Sequence, residues 1–213
     1  MTDLGAILFD VDGTLLDTRE WIFSAFENSM RVSGSKVIPR QEIRPKMGQS
    51  LESCYEAFIP SGDIDRLVKT HMEYQLQHLD IIKPYPGLKE LLQSISDLKT
   101  ALVTSRKGSL MVTLERAGID KSFDVIVAAK DVTKHKPHPE GILLALEKLE
   151  VQAKQAVMVG DGIADMQAAK NAGVAAVGIT HGFGTKEDLI DAGAVHIVGS
   201  LSELRELLEK LRS

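Results

Sequence analysis

The chain has 213 residues, 44% of them hydrophobic and 26% charged, with a formal net charge of −5. That length suits one large domain, or one domain carrying an insertion. The acidic balance argues against a general nucleic-acid binder, which needs a basic face, but it permits a local positive site for a small anionic substrate. In chain order, Ala6 to Phe9 form a short unbroken apolar run that stops at Asp10, Asp12 and Gly13. Such a run, bounded by a turn signal, predicts a buried parallel strand with the carboxylates at its end. Residues 20–31 carry apolar residues at a helical period, and Ser33-Gly34-Ser35 breaks it. A short helix after Pro39, another over 51–58 and a fourth from Ile64 to about Leu79 follow, the last with Leu67, Val68, His71, Met72 and Leu76 spaced for burial. No strand is predicted between Thr18 and Lys83, so residues 17–83 form an all-helical insertion. Pro84-Tyr85-Pro86-Gly87 marks the return to a main body made of 1–16 and 84–213.

From residue 88 onwards, helices and strands alternate. Helices are predicted at 88–98, 110–117, 139–149, 163–172, 185–192 and 201–211. Strands are predicted at 100–104, 124–128, 156–159, 174–179 and 196–198. This alternation predicts an α/β fold, a Rossmann-like parallel sheet covered by helices on both faces. Cys54 is the single cysteine, so no intramolecular disulfide can form and a reducing compartment fits. The N-terminus lacks the pattern of a signal peptide, and no apolar run reaches the roughly 18 residues of a membrane span. The expectation is a cytoplasmic chain with no membrane partner.

Open parallel sheets bind ligands at the carboxyl ends of their strands. Asp10 and Asp12 follow the first predicted strand, Thr104 and Ser105 the second. Lys134 to Lys136 lie in the loop after the third, and Asp161 follows the fourth. Asp165 comes four residues later. It is either an ordinary acidic residue in a helix first turn or a fourth carboxylate of one pocket. Several carboxylates together call for a hard divalent cation, and oxygen ligands with substrate phosphate are what Mg²⁺ prefers. Thr104 can cap the helix that follows or contact a phosphoryl group. Lys136 can be an exposed loop lysine or the fixed positive charge such a pocket needs.

These four places, Asp10-Val-Asp12-Gly13-Thr14, Thr104, Lys136 of His-Lys-Pro-His-Pro and Gly-Asp161-Gly-Ile-Ala-Asp165, resemble the motifs of the haloacid dehalogenase-like (HAD) hydrolases in order. The spacing between the first two resembles the subfamily with a helical cap inserted there. The flanking stretches look most like phosphoglycolate phosphatases and related HAD pyrophosphatases. The resemblance implies a phosphatase in which Asp10 is the nucleophile and Asp12 the general acid-base. Mg²⁺ would be held by the Asp10 carboxylate, the Asp12 main-chain carbonyl and Asp161, with Asp165 orienting a metal-bound water. Thr104, Lys136 and the amides around Gly13 and Ser105 would hold phosphoryl oxygens.

Arg106 is expected to meet a substrate anion, and Arg44, Lys46 and Gln49 are cap candidates for a second anionic group, or plain surface residues. The expected substrate is a small phosphorylated metabolite such as phosphoglycolate, with pyrophosphate as the alternative and a monomer or homodimer as the assembly. Phosphomutases of the family carry a histidine after the Asp-Thr pair that leads into the cap. Here Trp21 and Ile22 stand in that region, so a mutase ranks low. A phosphoacceptor regulator ranks low too, because Asp12 would hasten loss of the signal.

Overall fold

The computed structural model describes residues 4–47 and 49–212. Its body is a six-stranded sheet formed by β1 (Ala6–Phe9), β4 (Lys99–Val103), β5 (Val125–Val127), β6 (Ala156–Gly160), β7 (Ala175–Ile179) and β8 (His196–Val198). The order across the sheet is β5-β4-β1-β6-β7-β8, and every pairing is parallel. β1 is buried from end to end, which is why it reads as a continuous apolar run rather than an alternating one.

Successive side chains of β1 point to opposite faces. Ile7 and Phe9 join a cluster with Leu88 and Leu91 of α5 (Leu88–Ser94), Leu110 and Leu114 of α6 (Leu110–Ala117), and Leu201, Leu204 and Leu208 of α10 (Leu201–Arg212). Ala6 and Leu8 join the opposite cluster with Ile142 and Leu146 of α7 (Glu140–Leu149), Met166 and Ala169 of α8 (Ile163–Ala172), and Leu189 of α9 (Lys186–Ala192). A helix layer therefore covers each face, as a parallel sheet requires.

The strand register positions the site. Phe9 lies level with Leu102 of β4 and Val159 of β6. Continuing that register puts Asp10 level with Val103 and Gly160, and Thr104 and Asp161 one residue further out. Three polar strand ends thus converge because three apolar strands stop together.

Between β1 and α5 the chain leaves the sheet. β2 (Leu16–Asp17) and β3 (Lys83–Pro84) pair antiparallel as a two-residue ribbon, and the Asp17 carboxylate accepts from the Arg19 guanidinium. Among the described residues between them there are only helices: α1 (Arg19–Val32), α2 (Arg40–Ile43), α3 (Leu51–Phe58) and α4 (Ile64–Gln77), with short 3₁₀ turns at Arg44–Lys46 and Leu79–Ile81. α3 starts at Ser50, whose hydroxyl accepts from Ser53 N–H, and α4 at Asp63, whose carboxylate accepts from Arg66 N–H. Their shared core holds Phe26, Met30, Ile43, Cys54, Tyr55 and Leu67, and Phe183 enters it from the sheet side.

Two expectations are corrected. The predicted 88–98 helix ends at Ser94, and buried Ile95 turns the chain into β4, with Leu98 N–H donating to Ile95 O. Leu76 of α4 is 56% exposed. It lies five residues past buried His71, which turns it by about 140° off the buried face, whereas Leu67 at four residues' spacing stays on it.

His71 is buried in the helical segment, its Nδ1 within 2.9 Å of the Tyr55 hydroxyl, which also contacts Ser29 Oγ. Burial pushes its pKa down to about 3. In the unfolded chain it regains a value near 6.5, so the unfolded state binds the extra proton between those two values. Stability is then lost as pH falls below about 6.5. His71→Gln keeps a hydrogen-bonding side chain and removes the titration. Denaturant melts at pH 6.5 and 5 should show the wild type losing about 2 kcal/mol more than the variant.

Candidate active site

Lys136 sits at the centre of the strand ends. Its Nζ donates to Asp10 Oδ1 (2.7 Å), Asp165 Oδ1 (2.6 Å) and the Val103 carbonyl (3.1 Å). All three side chains are buried. Burial works against the charged ammonium, but the Asp10 and Asp165 carboxylates outweigh it and hold the Lys136 pKa above its ordinary value.

Asp161 stands opposite with neutral partners. Its Oδ1 accepts from Thr14 Oγ1 (2.8 Å), its Oδ2 from Phe183 N–H (2.7 Å), and its carbonyl from Gly184 N–H (2.8 Å). Asp165, in the first turn of α8, has Oδ2 on Gly162 N–H at 3.0 Å. Carboxylate oxygens of Asp10, Asp161 and Asp165 all lie within 4.8 Å of one another.

Three carboxylates against one ammonium leave two negative charges in a dry place, which is costly without a further cation. The pKa shifts express that cost. Burial, then Asp165 and Asp12, push Asp10 up to about 7 against the pull of Lys136. Burial, then Asp10 and Asp165, hold Asp161 well above the carboxylate range. An all-oxygen set carrying a surplus of two charges fits a hard divalent ion. Of the residues expected at the metal, Asp10, Asp161 and Asp165 bring carboxylates together; Asp12 is expected there by its main-chain carbonyl, and its side chain turns to Arg106.

Asp12 is held by Arg106. The Arg106 Nε donates to Asp12 Oδ2 (2.9 Å), one terminal nitrogen bonds Asp12 Oδ1, and the other donates to Thr113 Oγ1 (2.8 Å). The Arg106 guanidinium also lies 4.5 Å from the Trp21 ring centroid of α1. Arg106 lines the cavity, as expected of a residue near the substrate, but its charge is already committed to Asp12.

Thr104 and Ser105 also line the cavity. Thr104 Oγ1 accepts from Arg106 N–H (3.1 Å), so it organises the loop as well as facing the site. Gly13, expected to offer its amide to a ligand, instead donates it to the Leu16 carbonyl (2.9 Å). Its φ of +84° closes the turn after Asp12, and a Cβ there would overlap the Asp161 carboxylate. Arg44 pairs with Asp188 at 3.4 Å across exposed surface, while Gln49 reaches the cavity.

The helical segment roofs this cavity, which measures about 110 Å³. Phe23 meets Phe183 edge-on at 5.7 Å, and Lys107 pairs with Glu52 at 2.5 Å. Thr14, Phe183, Gly182 and Trp21 are members of the site that the motifs did not single out. For Thr14 a signal existed, since it closes the first motif. For the loop at 182–184 the only hint is its place after β7, another strand end.

The model of the haloacid dehalogenase-like hydrolases matches residues 7–179. The chain belongs to that family. This HAD hydrolase is 31% identical over 203 residues to the pyrophosphatase PpaX of Listeria monocytogenes serotype 4a (strain HCC23), covering 93% of both chains. It superposes on a predicted phosphatase from Clostridium acetobutylicum with a TM-score of 0.89, at 26% identity and over 98% of this chain and all of the other. CbbY from Rhodobacter sphaeroides, solved in complex with phosphate, gives a TM-score of 0.82 at 28% identity, over 94% of this chain and 96% of the other. None of the helices among the described residues of this HAD hydrolase is long and apolar enough to cross a membrane.

Gly182 tests the crowding around Asp161, because a Cβ at that position would overlap the Asp161 carboxylate. Gly182→Ala should displace that carboxylate and lower kcat by about 10²-fold, the scale of a 1 Å misplacement. Denaturant melts should show a stability loss of only about 1–3 kcal/mol. Unchanged kcat would mean that the Asp161 position does not matter.

Proposed function

We propose that this HAD hydrolase is a Mg²⁺-dependent phosphatase that cleaves a small phosphate ester through a covalent phosphoryl group on Asp10. The observation that carries this reading is the buried set Asp10, Asp161, Asp165 and Lys136, two negative charges in excess, at the ends of adjoining parallel strands. Bound by those three carboxylates, Mg²⁺ would offset the negative charge of the set and of the phosphoryl oxygens.

Each residue has a role in the proposal. Asp10 attacks phosphorus with a carboxylate oxygen, and the bond between phosphorus and the leaving oxygen breaks. Asp12 enters the step protonated, turned from the Arg106 fork to the leaving oxygen, gives that oxygen its proton and then takes one from the water that attacks the phosphoryl-Asp10 phosphorus, breaking the O–P bond and freeing phosphate. Arg106 fixes the direction of the Asp12 carboxylate until that turn. Lys136 holds the Asp10 side chain in place, and Thr104 and Ser105 bind phosphoryl oxygens.

Residues 17–83 act as a cap, swinging on the β2–β3 ribbon to admit substrate and closing to exclude bulk water. Phosphoglycolate is one candidate substrate from the sequence, and the name of the Listeria relative favours pyrophosphate as a second reading.

Two treatments test the reading. Asp10→Asn keeps the shape and removes the nucleophile, so phosphate release should fall by roughly a thousandfold or more, as when other enzymes lose theirs. EDTA should stop the wild type and added Mg²⁺ restore it, with Tm rising on Mg²⁺ addition. Turnover by Asp10→Asn, or activity indifferent to EDTA, would overturn it.

A further inference from the structure

The cavity has two unlike walls. On the sheet side it presents carboxylates, Thr104 and Ser105. On the cap side Trp21, Ile22, Phe26, Leu51 and Met72 face it, with Phe183 beside them and the uncharged amides of Gln49 and Gln75 among them. The cations among the described residues lining it are Arg106, buried and forked onto Asp12, and Lys107, a partly exposed residue at the rim paired with Glu52, so no buried cation is left for a second anionic group. A second negative charge on the substrate, such as the carboxylate of phosphoglycolate or the second phosphate of pyrophosphate, would meet a largely apolar wall whose polar members Gln49, Gln75 and His71 carry no counter-charge. Burying a charge that way is costly.

His71 is a polar member of the same wall. Its Nδ1 is engaged by the Tyr55 hydroxyl, so the ring offers a ligand its other nitrogen. Burial keeps the ring neutral at working pH, which makes it a hydrogen-bond partner and not a counter-charge.

We propose that the substrate is the phosphate monoester of an uncharged alcohol of a few carbons, its chain lying against the apolar cap wall. This rests on the phosphatase reading and narrows it to one class of leaving group.

The test compares 4-hydroxybutyl phosphate with phosphoglycolate and pyrophosphate as substrates of the Mg²⁺-loaded protein. The uncharged ester should have a kcat/KM at least tenfold above both. Leu51→Arg, which puts a cation into the wall, should move that ratio at least tenfold toward phosphoglycolate. A wild-type ratio below tenfold, or reversed, overturns the inference and leaves the phosphatase reading intact.

Binding provides a readout without turnover. Calorimetry on Asp10→Asn with Mg²⁺ should find butylphosphonate bound at least tenfold more tightly than phosphonoacetate, and a smaller or opposite difference overturns the inference. Release of phosphate from no ester by the wild type would instead overturn the phosphatase reading, while the phosphonate comparison would still decide the charge preference of the cavity.

Discussion

An excess of buried negative charge governs this structure. Asp10, Asp161 and Asp165 converge within 4.8 Å, and one ammonium, Lys136, is placed among them. Chains avoid such arrangements unless something is gained, because each uncompensated carboxylate in a dry site is held at a free-energy cost. The fold tolerates it by surrounding the carboxylates with directed donors: the Thr14 hydroxyl, the Phe183 and Gly162 amides and Lys136. Glycine at 13 and 182 leaves the space Asp161 fills. The chemistry of such a carboxylate set fits a divalent cation, and the parallel sheet supplies it where β1, β4 and β6 end in register.

Arg106 and Phe183 both join the helical segment to the carboxylates of the site. Arg106 forks onto Asp12, braces on Thr113 and lies over Trp21 of α1. The residue that orients Asp12 therefore also packs on the helical segment. The other links, Lys107 to Glu52 and Arg44 to Asp188, join partly exposed groups and each contributes little on its own. Apolar contact, Phe23 on Phe183, adds to them.

Much of this was legible in the order of residues, for identifiable reasons. An apolar run four residues long ending in two aspartates reads as a strand end with a charge to manage, and Asp10 is found there. Lys136 was legible because carboxylates and phosphate need a fixed cation at a strand end. Asp165 could have been a first-turn acid, and its contact with Lys136 is a tertiary fact that α8 alone does not carry. Arg106 looked like a free charge for an anion, since no local pattern announces a partner 94 residues away. Likewise Thr14 meets Asp161 across 147 residues, and Phe183 contributes a backbone amide, a group every residue type has. His71 fell on the buried face as expected, but its contact with Tyr55 depends on how α3 and α4 pack.

The most direct test is chemical trapping of the intermediate. Protein quenched during turnover of a phosphate ester and reduced with borohydride should carry homoserine in place of aspartate at position 10, because an acyl phosphate is reduced where a free carboxylate is not. Mass spectrometry of the peptide containing Asp10 reads the change. Homoserine at Asp10, absent when substrate is withheld, is the expected result; homoserine at Asp12 or Asp161 instead, or at no aspartate while phosphate is being released, would contradict a nucleophilic Asp10.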